Sequence, residues 1–288
     1  MAVAATGFFD GVHRGHRHLL DILVSSARKR AERAIVVTFS KHPRTVLQQD
    51  ARTLRLLTST EEKIALLKAC GVDSVEVLGF DRSFSSMTAR QYLSEVLRDT
   101  PGVTAVVVGY DTRTGSDRLG PDAIAETASQ LGLEVIVCGP EGDISSTRIR
   151  KALEQGLVED AADMLGYRYM LNGVVVAGNR MGRTIGFPTA NMKLYEPLKL
   201  VPLNGVYKVE VEVLGRRFSG MTNIGYRPTL GLGNERTIET NIFDFNEDIY
   251  GLDIELRFVS RVRDEMKFDS MKELAAQLEK DRAVCCCQ

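Results

Sequence analysis

Three of the chain's four histidines crowd into one glycine-rich stretch. His13 and His16 stand as His-x-Gly-His inside "GFFDGVHRGH", Gly7 to His16, and His18 follows. Gly7, Gly11 and Gly15 let a backbone close on a ligand, and the amides of a following helix favour negative charge. Imidazoles placed there can donate to phosphate oxygens and offset charge that builds up in a transition state. A glycine turn with one histidine is ordinarily strand-to-helix packing, whereas two histidines flanking one glycine point to chemistry.

Three further stretches carry groups suited to an anion. In "ISSTRIRKAL", Ser145, Ser146 and Thr147 can cap a helix whose first turn holds Arg148 and Arg150, a setting in which arginine clamps phosphate bidentately. An ordinary cap with two solvated arginines reads the same way. "VVGYDTRTGSDRLG" is a polar loop with Asp111, Arg113, Asp117 and Arg118. "TFSKHPR" places His42, Pro43 and Arg44 after a strand, either at a ligand or in a plain irregular loop.

The second half has its own candidates. In "GNRMGRTIGFPTAN", Gly178, Gly182 and Gly186 allow a loop to fold around an anion, and Arg180 and Arg183 supply positive charge. Pro188 fixes a turn. Thr189 and Asn191 offer neutral oxygens of the kind Mg²⁺ takes alongside phosphate. A decorated β-turn is the plainer reading of these residues alone. Strand alternation in "RTIETNIFDF" puts Glu239, Asn241 and Phe243 on one face and Thr240, Ile242 and Asp244 on the other. Glu239 is a candidate base, or a solvated edge-strand carboxylate.

The elements that must hold these residues divide in two. Up to about "LEVIVCG", short apolar runs alternate with helical patterns, and continuous Val/Ile runs fit strands buried on both faces. This predicts an α/β region, a Rossmann-like doubly wound parallel sheet whose ligands bind beyond the carboxyl ends of the strands. Capping boxes are expected at Ser59/Glu62 and Thr88/Gln91. After Leu165 the runs are β-type, with period two at Val209, Val211 and Val213 and turn residues at Gly215, Pro228-Thr229, Gly231, Gly233, Asn234 and Gly251. This half predicts an antiparallel β-barrel with a terminal helix. The expected domains are 1–166 and 167–288.

Composition narrows the function. A net charge of −1 provides no general attraction to nucleic acid or membrane, so an anionic ligand needs a local site. No apolar run reaches membrane-helix length, and no basic region precedes "MAVAATGFF", so neither a membrane span nor a signal peptide is expected. Five cysteines without a spaced framework fit a reducing cytoplasm. Cys285 to Cys287 read as a frayed end.

"GFFDGVHRGH" with "SSTRIR" resembles the nucleotidyltransferases that carry the His-x-Gly-His signature. With "GRTIGFPTAN", "NIGYRPT", "ETNIFDF" and "RDEMKF" the chain more narrowly resembles the bacterial bifunctional riboflavin kinase/FAD synthetase family, over nearly its whole length. The resemblance implies two reactions. At the N-terminal half, FMN phosphate attacks the α-phosphorus of ATP, FAD forms and pyrophosphate leaves. At the barrel, ATP phosphorylates riboflavin to FMN. Mg²⁺ serves both.

The resemblance assigns His13, His16 and Arg148 to charge stabilisation. It assigns Gly7, Phe9, Asp10, Gly15, Asp111, Ser146, Thr147 and Arg150 to substrate binding in the first half. In the barrel it implies Gly178, Arg183, Gly186, Pro188, Thr189 and Asn191 around ATP, with Thr189 and Asn191 as metal ligands and Glu239 as the catalytic carboxylate. Partners are then small molecules, with no nucleic acid or membrane, and a monomer or weak homo-oligomer. Two departures stand out: Thr112 and Thr114 replace aromatic residues usual in that loop, and Asn241 replaces a histidine. They keep two alternatives open, a different nucleotidyltransferase and a flavin-binding module that has lost a catalytic step.

Overall fold

The computed structural model describes residues 1–42, 54–98, 102–178, 182, 185–229 and 233–286. Pro43, Arg44, Arg180, Arg183, Gly231 and Cys287 therefore lie outside the described residues. The chain forms two compact units, Met1–Ser146 and Thr147–Gln288.

The first unit runs β1 (Ala2–Thr6), α1 (Arg14–Lys29), β2 (Arg33–Phe39), α2 (Thr60–Ala69), β3 (Ser74–Leu78), α3 (Arg82–Ser85), α4 (Ala89–Gln91), β4 (Val103–Gly109), α5 (Pro121–Gln130) and β5 (Glu134–Cys138). Its five strands are parallel in the order β3-β2-β1-β4-β5. The Val/Ile runs are buried on both faces because alternate residues enter different cores. Val3, Ala5, Val36 and Val107 pack under α1 and α2, while Ala4, Val37, Val106 and Val108 pack under the opposite helices.

β1 has β2 on one side and β4 on the other, so the connections leave it in opposite directions. A crevice must open beyond the carboxyl ends of β1 and β4. The histidine stretch follows β1 and the Asp111 loop follows β4, so topology brings both to this crevice.

Ser59 and Thr88 each form the expected reciprocal capping box, and Gly71 follows α2 at φ +84°. The helix expected after Thr88 takes a different pitch. α4 passes directly into a π-helical segment at Tyr92–Arg98 that buries Tyr92, Leu93 and Leu97. A capping box sets where a helix begins and leaves its later pitch to packing.

The second unit carries α6 (Ser146–Glu154, its first residue shared with unit one), α7 (Val158–Leu165), β6 (Met170–Val176), β7 (Ala190–Leu194), β8 (Gly205–Val213), β9 (Arg216–Thr229), β10 (Gly233–Ile242), β11 (Asp253–Arg263) and α8 (Met271–Cys286). Its strands close into a barrel in the order β10-β7-β6-β11-β8-β9. The period-two pattern buries Val209, Val211 and Val213 and leaves Lys208, Glu210 and Glu212 partly exposed. Gly166, at φ +80°, ends α7 just before the barrel.

Two expectations are corrected and one strand is added. "ANMKL", to which the sequence reading gave no element, is a strand, β7. Pro228, Thr229, Gly233 and Asn234 are strand residues and not turn punctuation, since β9 and β10 stay paired out to Thr229 and Gly233. Cys285 and Cys286 are not frayed: α8 runs to Cys286, and Cys285 is packed with Phe187, Val206, Met221 and Phe243.

The β8–β9 hairpin turns on Leu214 and Gly215, at φ +55° and +68°. Two positive φ values match the right-handed twist of the strands, but only glycine adopts them without steric cost. Leu214 is 47 % exposed, so its side chain gains little from burial. Leu214→Asn is expected to raise unfolding free energy by about 0.5–1 kcal/mol, read by urea melts.

Candidate active sites

In the first unit the His-x-Gly-His residues straddle the start of α1. His13 is its N-cap, and its Nδ1 accepts from the His16 backbone N at 3.3 Å. An accepting Nδ1 carries no proton, so a neutral His13 presents its Nε2–H as a donor. The His16 ring stacks on His13 at 3.6 Å between centroids and meets the Phe9 ring edge at 5.2 Å. A Cβ at Gly15 would lie 3.3 Å from the His13 ring. The glycine between the histidines is thus the space that His13 occupies.

The turn before them is strained and held from below. Phe9 and the β-branched Val12 have φ of +53° and +38°, conformations that non-glycine residues adopt only under constraint. Asp10, 4 % exposed, supplies that constraint: its Oδ1 accepts from the Leu57 and Thr58 amides at 2.9 and 3.2 Å. The Gly11 N donates to Thr58 Oγ1 at 3.1 Å. Within the first unit, Ser146 Oγ donates to the Asp10 carbonyl at 3.0 Å. Thr147, Arg148 and Arg150 follow on α6, where Thr147 and Arg148 are exposed and Arg150 partly so.

Burial, and secondarily the neighbouring His13, hold the His16 pKa well below the ordinary histidine value of 6.5. His16 Nδ1 is buried with no hydrogen-bond partner among the described residues. In the unfolded chain the imidazole takes a proton near 6.5, whereas in the folded chain it does so only at lower pH. The unfolded state therefore binds more protons as pH falls below 6.5, and stability is lost there. His16→Gln is expected to flatten this dependence in urea melts between about pH 7 and pH 5.

Beside the turn lies a cavity of about 670 Å³ lined by Phe8, Phe39, Phe80, Phe84 and Tyr92 together with Thr6 and Gly7. The Asp111 loop contributes Thr112, Arg113, Thr114 and Arg118 to the lining. Thr112 and Thr114 do line the cavity, and the aromatic surface comes from elsewhere. Phe39, Phe80 and Phe84 stand mutually 5.4 Å apart. The sequence reading passed over Phe80 and Phe84, although "GFDRSF" follows β3 at the same carboxyl edge. Asp111 is exposed at the loop's start, and His42 packs edgewise on Phe8 at 4.5 Å.

In the second unit Glu239 and Asn241 face a cavity of about 480 Å³ with apolar walls of Phe187, Met221, Phe268, Leu274 and Leu278. Thr240 and Ile242 face a second cavity, of about 410 Å³, bounded by Pro188, Thr189, Ala190 and residues 245–250. Thr189 borders both. Glu239 pairs in register with Asn191 on β7. A Cβ on Gly178 would fall 2.2 Å from the Asn191 amide, so this glycine admits that side chain. Gly186, at φ +83°, turns the chain into Phe187. Asn241 is 6 % exposed, and its Nδ2 donates to the Pro188 carbonyl at 2.7 Å, tying the loop ahead of Thr189 to β10.

α8 contributes Leu274 and Leu278 to the apolar wall, a role its plain helical period did not signal. It is clasped to β11 by Arg263, whose Nη2 and Nε meet the buried Asp281 carboxylate at 2.8 and 3.0 Å.

The chain matches the FAD synthetase family model over residues 1–151 and the riboflavin kinase model over residues 165–286. It is 37% identical to the bifunctional riboflavin kinase/FMN adenylyltransferase of Bacillus subtilis, covering 98% of this chain and 90% of that protein. The protein of the same description from Escherichia coli is 38% identical over 97% and 90%. A crystal structure described as a macrolide-efflux protein from Streptococcus pneumoniae superposes with a TM-score of 0.93 at 35% identity, covering 100% of this chain and 94% of that one. Among the described residues of this chain no helix is long and apolar enough to cross a membrane.

Proposed function

The chain belongs to the bifunctional riboflavin kinase/FMN adenylyltransferase family, and from that premise we infer that it makes FMN from riboflavin and FAD from FMN, each with ATP. The observation that carries the inference is that each unit has cavity space beside its candidate residues: the first unit's cavity reaches Gly7 and Phe8 of the histidine stretch, and the barrel's cavities are bordered by Glu239 and Thr189.

We assign the aromatic cavity of the first unit to FMN. An isoalloxazine is a large flat ring that gains affinity by stacking, and Phe39, Phe80, Phe84 and Tyr92 provide such surface. An oxygen of the FMN phosphate attacks the α-phosphorus of ATP, the bond to the bridging oxygen breaks, and pyrophosphate leaves. No covalent enzyme intermediate is required, so positioning and charge stabilisation make up the catalysis. His13, through Nε2–H, and His16 donate to the α-phosphoryl oxygens. The family resemblance gives the holding of phosphate to Ser146, Thr147, Arg148 and Arg150.

In the barrel we assign the apolar 480 Å³ cavity to the riboflavin ring and the 410 Å³ cavity to the nucleotide. Thr189, which borders both, then stands where the two substrates meet. Glu239 takes the proton of the ribityl hydroxyl as its oxygen attacks the γ-phosphorus and ADP leaves. Thr189 and Asn191 offer neutral oxygen donors, with room for Asn191 secured by Gly178, and that donor set fits Mg²⁺ shared with ATP phosphates. The ion would supply charge neutralisation on the phosphates.

Incubation with riboflavin, ATP and Mg²⁺, followed by chromatography, tests the inference. FMN and then FAD are expected. FMN alone contradicts the N-terminal assignment, and FAD from added FMN without FMN from riboflavin contradicts the barrel assignment.

By the resemblance Asn241 stands where a histidine is usual, and its bond to the Pro188 carbonyl supports a role in holding the Pro-Thr segment. Asn241→Asp removes the donor at constant size, which frees the Pro-Thr segment. The expected result is a fall of about tenfold in kcat/KM for riboflavin phosphorylation, measured by FMN formation, with FAD formation from FMN unchanged.

A further inference from the structure

Beneath the wall of the aromatic cavity lies a cation that belongs to neither signature. Lys63, on α2, is 2 % exposed. Its Nζ donates to the Phe39 carbonyl at 2.8 Å, at the carboxyl end of β2. The same ammonium sits 4.0 Å from the centroid of the Phe8 ring. Asp10, which braces the histidine turn, is its favourable charge partner.

We propose that Lys63 is a positioning residue of the FMN site, fixing the Phe8 ring and the end of β2 in the orientation that receives the flavin. This rests on the assignment of the aromatic cavity to FMN. Phe8 and Phe39 both line that cavity, and Lys63 meets both, through a hydrogen bond to the Phe39 carbonyl and a cation–ring contact with Phe8. A cation over the ring face holds Phe8 against rotation, and the bond to Phe39 holds the backbone on which the neighbouring wall residue is mounted.

Stability does not account for a lysine here. Burial disfavours its charge and pulls its pKa down to about 8, against a weaker opposing effect of Asp10. A methionine of similar length would fill the space without desolvating an ammonium, and such replacements are often neutral or stabilising. What methionine cannot do is donate to Phe39 or hold the ring electrostatically.

Lys63→Met in the full chain is the test, with initial rates of FAD formation measured against FMN and against ATP. KM for FMN is expected to rise about tenfold, with kcat and KM for ATP changed less than about threefold and thermal stability not lowered. A folded Lys63→Met with wild-type KM for FMN overturns the proposal. An equal loss in kcat and both KM values overturns it too, since that marks general damage. Phe8→Leu supplies the second arm. If Lys63 acts through the Phe8 ring, Phe8→Leu itself raises KM for FMN, and adding Lys63→Met raises it by less than the product of the single effects. Fully multiplicative effects contradict the proposal. Should Lys63→Met not fold, a wild-type KM for FMN in Phe8→Leu contradicts it equally. Wild-type protein that makes no FAD from FMN and ATP would instead sink the assignment of the cavity.

Discussion

His16→Ala is expected to lower FAD formation from FMN by about a hundred- to a thousandfold while FMN formation from riboflavin continues at the wild-type rate. The ring is held on two sides, by the stacked His13 and by the Phe9 edge. Such a group costs little reorganisation when charge develops on a phosphoryl oxygen, and single preorganised donors of this kind are worth about that factor. His16 is a cleaner probe than His13. Removing His13 also removes the N-cap of α1, so a lost cap and a lost donor would appear together. Alanine at position 16 sits within the helix, where it is the residue best tolerated. Chromatography of the products from riboflavin and from FMN, on the same preparation, reads both activities. A folded variant with wild-type FAD synthesis removes His16 from the chemistry, and loss of both products contradicts the assignment of one reaction to each unit.

The parts of this picture legible in the sequence share a physical basis. The parallel sheet showed itself because Ala34–Val37 and Ala105–Val108 are apolar at consecutive positions, as a short strand covered on both faces requires. The barrel showed itself through the opposite pattern, in which Val209, Val211 and Val213 alternate with charged residues. The histidines stood out because two of them flank one glycine after a strand, whereas Ser146 read equally well as an ordinary helix cap.

What stayed hidden depends on contacts that have no period. Phe80 and Phe84 look like core residues until the order β3-β2-β1-β4-β5 puts the carboxyl end of β3 on the same edge as the histidine turn. Asp10 was expected to bind substrate, and the structure commits its Oδ1 to the amides of Leu57 and Thr58, forty-seven and forty-eight positions away. β7 is five residues long, and its identity comes from pairing with β6 and β10 more than from its own pattern. The two departures from the family also read differently in three dimensions. Thr112 and Thr114 face a cavity already walled by rings, and Asn241 carries a backbone bond to Pro188. Neither position looks like decay, which weakens the case for a module that binds flavin without turning it over.

Glu239→Gln should do to the barrel what His16→Ala does to the sheet: riboflavin phosphorylation falls by about a hundred- to ten-thousandfold, the range for loss of a positioned general base. Glutamine keeps the length of the side chain and an oxygen at its tip, so the 480 Å³ cavity and the pairing of position 239 with Asn191 are retained. It cannot accept the hydroxyl proton. The loss should therefore appear in kcat, with KM for riboflavin within about threefold of wild type, because the apolar walls that hold the ring are untouched. FAD formation from added FMN should proceed at the wild-type rate, since that reaction is assigned to the first unit. If kcat stays within about tenfold of wild type, Glu239 only lines the cavity, because removing a working base costs at least a hundredfold. If KM rises and kcat holds, the carboxylate binds the ribityl chain and some other group receives the proton.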